Sequence, residues 1–158
     1  MTNLCVGDEA PSFAVNDEKG KLITSGSLRG NKYILFFYPK DDTPGCTNEA
    51  CSIRDKYASL ENLGYNIYGI SPDSERKHQK FINKYGFQYS LLSDPEKKMI
   101  RSFGVWGPKK FLGREYMGVH RTTFIVDECG FILKVLKEIN TKNHGQEIIE
   151  AIESMTGE

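Results

Sequence analysis

Two closely spaced cysteines follow an apolar segment near the middle of the first half of the chain. Cys46 comes two residues after Pro44, and Cys51 follows five residues after Cys46. The segment before them, KYILFFYP at 32–39, contains an unbroken aliphatic and aromatic run that ends in proline. Such a run is typical of a strand buried on both faces. Cys46 is therefore expected in the first turn of a helix that begins soon after a buried strand.

That position favours a negatively charged sulfur. Backbone N–H groups are unpaired in the first turn of a helix, and the helix dipole is positive there. A thiolate is an anion that this environment stabilises, and the thiolate is the nucleophilic form of cysteine. Thr43 places a hydroxyl donor within three residues of Cys46. The residues therefore predict a nucleophilic sulfur beside a group that can polarise an oxygen.

Other interpretations of the cysteines remain open at this point. A cysteine at a helix start can be a small buried residue, and Cys-x4-Cys is part of one iron–sulfur spacing. The further Cys-x2-Cys that this iron–sulfur signature needs is absent. His78, His120 and His144 show no zinc-ligand spacing with the cysteines, and each is expected to be a surface or structural residue. Phosphate-loop and dinucleotide fingerprints are also absent, so the sequence predicts no metal and no cofactor.

Composition narrows the class of protein. The chain has 158 residues, which predicts a single domain spanning 1–158. Lys and Arg total 21, as do Asp and Glu, and this balance argues against a nucleic-acid or anionic-membrane binder. The longest apolar run, Tyr33 to Tyr38, has six residues, and the start lacks a signal-peptide pattern. We expect a cytoplasmic protein, in which structural disulfides are rare and Cys5 and Cys129 are ordinary residues.

The pattern of apolar and turn residues predicts alternating strands and helices. Strands are predicted at 12–15, 21–24, 32–38, 65–71, 89–94, 121–127 and 131–139. Helices are predicted from Cys46 to about Leu63, from Asp73 or Ser74 to Tyr85, from Pro95 to about Phe103, and from about His144 to Ser154. Residues 104–118 contain several glycines and a proline and are predicted to be a long irregular loop. This order predicts an α/β fold with a mixed central sheet flanked by helices.

Longer motifs identify a family. The string PKDDTPGCTNEAC at 39–51 resembles the peroxidatic-cysteine motif of the peroxiredoxins, and in particular the bacterioferritin comigratory, or Q-type, subgroup. DEAPSFAV, SPDSERKHQKFINKYG, LLSDPEK and GVHRTTFIVDECG resemble further stretches of that subgroup in the usual order. The resemblance implies a thioredoxin-like fold with an N-terminal β extension. It also implies a thiol-dependent peroxidase that reduces hydrogen peroxide and organic hydroperoxides.

The same resemblance assigns roles to five residues. Cys46 matches the peroxidatic cysteine and Cys51 the resolving cysteine, so an intramolecular Cys46–Cys51 disulfide is implied, recycled by a thioredoxin-like reductant. Thr43 is expected to hydrogen-bond the thiolate and the peroxide, and Pro39 to shield the site from water. Arg121 matches the active-site arginine, and a guanidinium beside a thiolate stabilises its charge. The resemblance implies a monomer, with a weak dimer as the alternative.

Two rival functions use the same cysteines. A thiol–disulfide oxidoreductase needs Cys-x2-Cys at the helix start, but residue 49 is a glutamate. A redox-sensing or holdase protein would use the Cys46–Cys51 pair as a switch, without sustained turnover of peroxide and reductant. Turnover therefore separates a peroxidase from a sensor.

Overall fold

A computed structural model describes residues 2–156. The strands are β1 Ala14–Asn16, β2 Leu22–Thr24, β3 Lys32–Phe37, β4 Tyr65–Ser71, β5 Ser90–Ser93, β6 Trp106–Phe111, β7 Arg114–Val119, β8 Thr122–Val126 and β9 Ile132–Leu136. The helices are α1 Pro44–Asp55, α2 Tyr57–Asn62, α3 Glu75–Tyr85, α4 Lys98–Ser102 and α5 His144–Thr156. No helix among the described residues is long and apolar enough to cross a membrane.

Seven strands form one mixed sheet in the order β2-β1-β5-β4-β3-β8-β9. β3, β4 and β5 run parallel to one another, while β8 and β9 pair antiparallel beside β3. The hairpin β1–β2 joins the sheet through a single antiparallel pair between Asn16 and Ser93. The prediction of a mixed sheet with an N-terminal β extension is confirmed.

The environment of strand β3 explains why the apolar run at 33–38 shows no alternation between apolar and polar residues. Ile34 and Phe36 pack into one core with α1, α2, α3 and α5, whereas Leu35 and Phe37 pack into a second core with α4. All four side chains are fully buried. Burial on both faces removes the need for a polar residue at every second position. Because β3 is held from both sides, the loop that follows it starts from a rigid point.

Several predicted boundaries differ from the structure, among them those of two helices and the end of the last strand, which was predicted at 131–139 and is observed at Ile132–Leu136. The helix predicted from Cys46 to Leu63 begins earlier, at Pro44, and is interrupted at Lys56, so α1 and α2 are separate. Pro95 does not open α4, which begins three residues later, where the Asp94 carboxylate accepts hydrogen bonds from the first helical N–H groups. These hydrogen bonds to Asp94 fix the start of α4 better than the proline does.

The prediction of a long irregular loop over residues 104–118 was wrong. β6 and β7 pair over their full length in a two-stranded hairpin outside the main sheet. The turn is made by Leu112 and Gly113, both with positive φ, of 53° and 80°. Two such residues form the mirror-image turn that matches the twist of a hairpin, although leucine is unusual there. Most side chains of this hairpin are exposed, so its strands lack the apolar alternation that reveals a strand packed on a core.

Candidate active site

Cys46 lies in the first turn of α1, as the sequence predicts. Thr43 precedes the helix in an extended conformation, Pro44 is the first helical residue, and Cys46 is the third. The Cys46 side chain is 1% exposed and packs against the core that α1 shares with β3. Proline suits the first helical position because the N–H that it lacks has no partner there. A thiol on this turn faces the unpaired N–H groups and the positive end of the helix dipole.

Arg121 reaches this turn from the strand that pairs with β3. It lies one residue before β8, whose Thr122 pairs with Phe37 at the end of β3. A Cβ atom placed on Gly45 would lie 2.7 Å from Arg121 Nη2, so the guanidinium rests against the backbone just before Cys46. Burial by itself lowers the pKa of Arg121, but the negative charges of Cys46 and Glu49 outweigh it and raise the pKa above its ordinary value. The guanidinium therefore stays charged beside the Cys46 sulfur.

Glu49 fixes the guanidinium and was missed by the sequence analysis. Arg121 Nη1 donates to Glu49 Oε1 at 2.9 Å. The Glu49 side chain is fully buried, and its Oε2 is the only buried side-chain oxygen or nitrogen without a hydrogen-bond partner among the described residues. Burial raises the pKa of Glu49 to about 7, against the opposing charge and hydrogen bond of Arg121. The spacing of Glu49 could have indicated that it lies near Cys46, because Cys46, Glu49 and Ile53 share one face of the helix.

His144 stands behind Glu49 in the same buried cluster. Its Nε2 lies 3.8 Å from Glu49 Oε2 and 2.7 Å from Thr123 Oγ1, and its Nδ1 lies 2.8 Å from Glu147 Oε1. Burial lowers the pKa of His144, although Glu147 opposes that effect. His144, predicted to be surface or structural, is a buried residue that supports the Glu49–Arg121 pair.

The segment 39–43 that leads into α1 is anchored by a second buried polar group. Asp41 accepts a hydrogen bond from Tyr38 Oη at 2.6 Å, its carboxylate lies 2.7 Å from His78 Nδ1, and its N–H donates to Asp73 Oδ2 at 2.7 Å. Pro39 is half-buried beside them. A loop held at Asp41 presents the following residues to the site in a fixed way.

Thr43 makes a contact that the sequence did not predict. Its hydroxyl donates to the Lys40 carbonyl at 3.0 Å. A hydroxyl has one proton and two lone pairs, so Thr43 Oγ1 can still accept a hydrogen bond from the O–H of a peroxide. Contact with the thiolate and the peroxide stays a prediction for Thr43, as does the shielding role for Pro39.

Cys51 lies on the same helix as Cys46, and neither is bonded to another cysteine. Five residues of regular helix correspond to about 7.5 Å of rise and roughly 140° of rotation, which places the two Cα atoms about 8 to 9 Å apart. A disulfide needs Cα atoms closer than about 7 Å. Burial raises the pKa of the half-buried Cys51 thiol, with a further upward effect from Asp55 and a downward one from Arg54. Cys5 and Cys129 are exposed at the surface.

Comparison with known proteins agrees with this geometry. Residues 6–135 match the AhpC/TSA family. The chain is 43% identical to a putative peroxiredoxin Bcp of Haemophilus influenzae over 98% of this chain and 100% of that one. It is 39% identical to peroxiredoxin Bcp of Bacillus subtilis over 96% of both chains. The crystal structure of peroxidoxin BcpB from Mycobacterium tuberculosis superposes with a TM-score of 0.84, at 33% identity, over 97% of this chain and 99% of that one.

These matches, together with the geometry of the site, define the class of protein. A thioredoxin-like α/β fold carrying a cysteine at a helix start, with an arginine beside it, is that of a thiol peroxidase. The chain belongs to the AhpC/TSA family and, within it, to the Bcp or Q-type peroxiredoxins.

Proposed function

We propose that the chain reduces hydrogen peroxide and organic hydroperoxides through Cys46. The thiolate attacks one peroxide oxygen, the O–O bond breaks, and water or an alcohol leaves after taking up a proton. Cys46 becomes a sulfenic acid. The observation that carries the proposal is the position of the Arg121 guanidinium, which lies against the helix turn of Cys46 and is held there by Glu49. Arg121 stabilises the thiolate and the negative charge that develops on the leaving oxygen.

We propose further that Cys51 resolves the sulfenic acid. The Cys51 sulfur attacks the Cys46 sulfur, the S–O bond breaks, water leaves, and an intramolecular disulfide forms. A thioredoxin-like dithiol then reduces this disulfide by exchange and is itself oxidised. Cys51 supports this role because it shares α1 with Cys46 and is half-buried beside the same core. The helix geometry requires the first turns of α1 to unwind before the sulfurs can meet.

A coupled assay tests the proposal. Peroxide consumption should continue over many turnovers when thioredoxin, thioredoxin reductase and NADPH are present, and should stop after one equivalent without them. Cys46→Ser should abolish consumption, while Cys51→Ser should react once and then accumulate oxidised Cys46. A single round of oxidation by the wild type even with the reductant present would favour the redox-sensing or holdase alternative.

A further inference from the structure

A polar cavity adjoins Arg121. Its volume is about 300 Å³, and it lies where β7 leads into β8, beside the end of β9. We call it the basic cavity, and its lining includes Thr2, Lys109, His120, Arg121, Thr122 and Lys137. Neither Cys46 nor Thr43 lines it. Arg121 lines the basic cavity and also lies against the helix turn of Cys46, so the cavity adjoins the thiol site through this one residue.

The charges around the basic cavity are all of one sign. Lys109, Arg121 and Lys137 are cationic, and no lining residue is acidic, although the whole chain has as many acidic as basic side chains. Arg121 is paired with Glu49, but within residues 2–156 neither Lys109 nor Lys137 forms a salt bridge. Burial lowers the pKa of Lys109 and the charge of Arg121 lowers it further, while the charge of Cys46 opposes these effects. Lys109 is half-buried, whereas Lys137 is exposed at the rim of the cavity. A half-buried cation without an acidic partner is costly, and an anion bound beside Lys109 would offset that cost.

Unused hydrogen-bond donors border the same space. Lys109 Nζ donates to the Val119 carbonyl at 2.9 Å, and Lys137 Nζ donates to the Thr2 carbonyl at 3.3 Å. An ammonium has three N–H donors, so each lysine keeps two. These bonds to backbone carbonyls also hold both side chains at the cavity wall. The volume is about ten times that of one water in the liquid, roughly 30 Å³, so a carboxylate or phosphate group fits.

We propose that the basic cavity binds an oxyanion, either a carboxylate or a phosphate, through Lys109 and Lys137. The anion has two sources: a free ion in solution, or the acidic end of a hydroperoxide whose –OOH group reacts at Cys46. The second source rests on the proposed peroxidase function, whereas the first does not. In both cases the ligand lies beside Arg121 and adds a negative charge to its surroundings.

Binding is tested first with inorganic phosphate and with acetate, against sodium chloride at equal ionic strength. Amide signals of Lys109 and of residues 120–122 should shift saturably in NMR titrations of the wild type. The double variant Lys109→Gln with Lys137→Gln should lose at least about tenfold in affinity. The matched control, Lys110→Gln with Lys142→Gln, removes two exposed lysines and should bind as the wild type does.

Shifts that do not saturate, shifts that chloride reproduces, or equal affinities in the two double variants would overturn the proposal. If Lys109→Gln fails to fold, Lys137→Gln alone decides the matter, since it lies just beyond the end of β9. A bound anion also stabilises the folded state by mass action. Phosphate should therefore raise the Tm of the wild type and of the control, but not that of the Lys109/Lys137 variant.

Steady-state kinetics then distinguish the two sources of the anion, a free ion and the acidic end of a hydroperoxide. The kcat/KM of a tertiary hydroperoxide bearing a carboxylate is compared with that of a neutral hydroperoxide of the same size. A ratio of about ten or more that falls towards one in the Lys109/Lys137 variant identifies the substrate as the source. A ratio that is the same in both proteins, together with saturable phosphate binding, identifies a free anion. Absence of any peroxidase activity would contradict the proposed function, yet the phosphate titration would still decide whether the site exists.

Discussion

The Arg121 guanidinium is positioned by two residues of α1, one that holds it and one that leaves room for it. Glu49 supplies the hydrogen bond, 72 residues away in the sequence. Gly45 supplies the space, because a Cβ there would lie 2.7 Å from Nη2. The atom that would be displaced is the far end of a flexible side chain, so the backbone can stay as it is. A substitution at Gly45 can thus displace the Arg121 guanidinium while Cys46 itself is left unchanged.

Gly45→Ala should therefore lower the rate with peroxide while leaving the fold intact. A displacement of about 1 Å in a catalytic group can cost up to about 100-fold, and we expect a loss of that order in the second-order rate constant. Stopped-flow measurement of Cys46 oxidation gives the rate, and urea unfolding gives the stability. Gly26→Ala is the matched control, because its added Cβ meets only an ordinary contact with Thr24. A Gly45→Ala enzyme as fast as this control would remove Arg121 from the mechanism.

Glu49 gives the stability a pH dependence with a defined sign. Its pKa is about 7 in the folded protein and near 4.5 in the unfolded chain. Between these values the folded protein holds a proton that the unfolded chain has released, so this group lowers the free energy of unfolding as pH rises from about 4.5 to about 7. His144 acts in the opposite direction, because its pKa is lowered in the folded state from the ordinary value of 6.5.

Glu49→Gln should gain stability relative to the wild type as pH rises through that window, since the glutamine cannot ionise. Urea denaturation at closely spaced pH values from about 4.5 to 8 measures the difference. Glu115→Gln, on the exposed strand β7, should run parallel to the wild type. A Glu49→Gln curve parallel to the wild type would mean that the Glu49 carboxyl does not change its pKa on folding.

Among the secondary-structure elements, α1 has to remain anchored and yet be able to unwind at its start, because the proposed Cys46–Cys51 disulfide requires it. Its preceding residue, Thr43, makes no side-chain cap. Its middle is held more firmly, because the Ala50 carbonyl accepts a hydrogen bond from Tyr89 Oη at 2.6 Å and Ser52 Oγ accepts one from the Gly145 N–H at 2.9 Å. Opening is easiest where stability is lowest, so the first turns should unwind before the contact with α5 breaks.

Hydrogen exchange on the two redox states tests this opening. Amides of residues 46–54 should lose protection when the disulfide forms, whereas those of β3 should stay protected in both states. Peroxide-treated Cys51→Ser, which cannot close the bridge, is the control and should keep the protection of the reduced enzyme. Equal protection of 46–54 in both states, with the disulfide confirmed by mass, would show that the bridge closes without unwinding.

The contact between α1 and α5 depends on the absence of a side chain at Gly145. A Cβ there would overlap the Ser52 carbonyl oxygen and come within 2.9 Å of Lys56 Cγ. Gly145→Ala should therefore destabilise the reduced enzyme by about 1–3 kcal/mol, because one of the atoms in the way is backbone and cannot rotate aside. Disulfide closure should become faster, since α1 is held less firmly. Urea unfolding and rapid-quench alkylation measure the two effects, and unchanged values for both would show that α5 does not restrain α1.

The sequence predicted the buried strands and the position of Cys46 at the start of a helix well, and the reasons are local. The boundaries of β4, Tyr65–Ser71, agree with the prediction because an apolar run between Gly64 and Pro72 leaves little choice. The hairpin β6–β7 was missed because its strands carry exposed side chains and its turn uses Leu112. Glu49 was missed because a glutamate in a helix normally faces water, and its partners come from distant parts of the chain.

At the scale of the whole molecule, one sheet brings the separate parts of the site to the same end. β3 delivers the segment that carries Thr43 and Cys46, and the antiparallel neighbour β8 begins there with Arg121 just before it. The two cores on opposite faces of the sheet fix both strands. Strand pairing thus assembles the candidate site, while the proposed disulfide requires α1 to unwind.

The most direct test of the account is to locate the bond that forms after one turnover. The variant Cys5→Ser with Cys129→Ser is treated with one equivalent of hydrogen peroxide, alkylated, digested and mapped by mass spectrometry, and its steady-state turnover with thioredoxin is measured in parallel. The proposed cycle predicts a Cys46–Cys51 disulfide in nearly every molecule and turnover within a few-fold of the wild type. Persistent sulfenic acid at Cys46 with Cys51 still free, or loss of turnover when Cys5 and Cys129 are replaced, would contradict it.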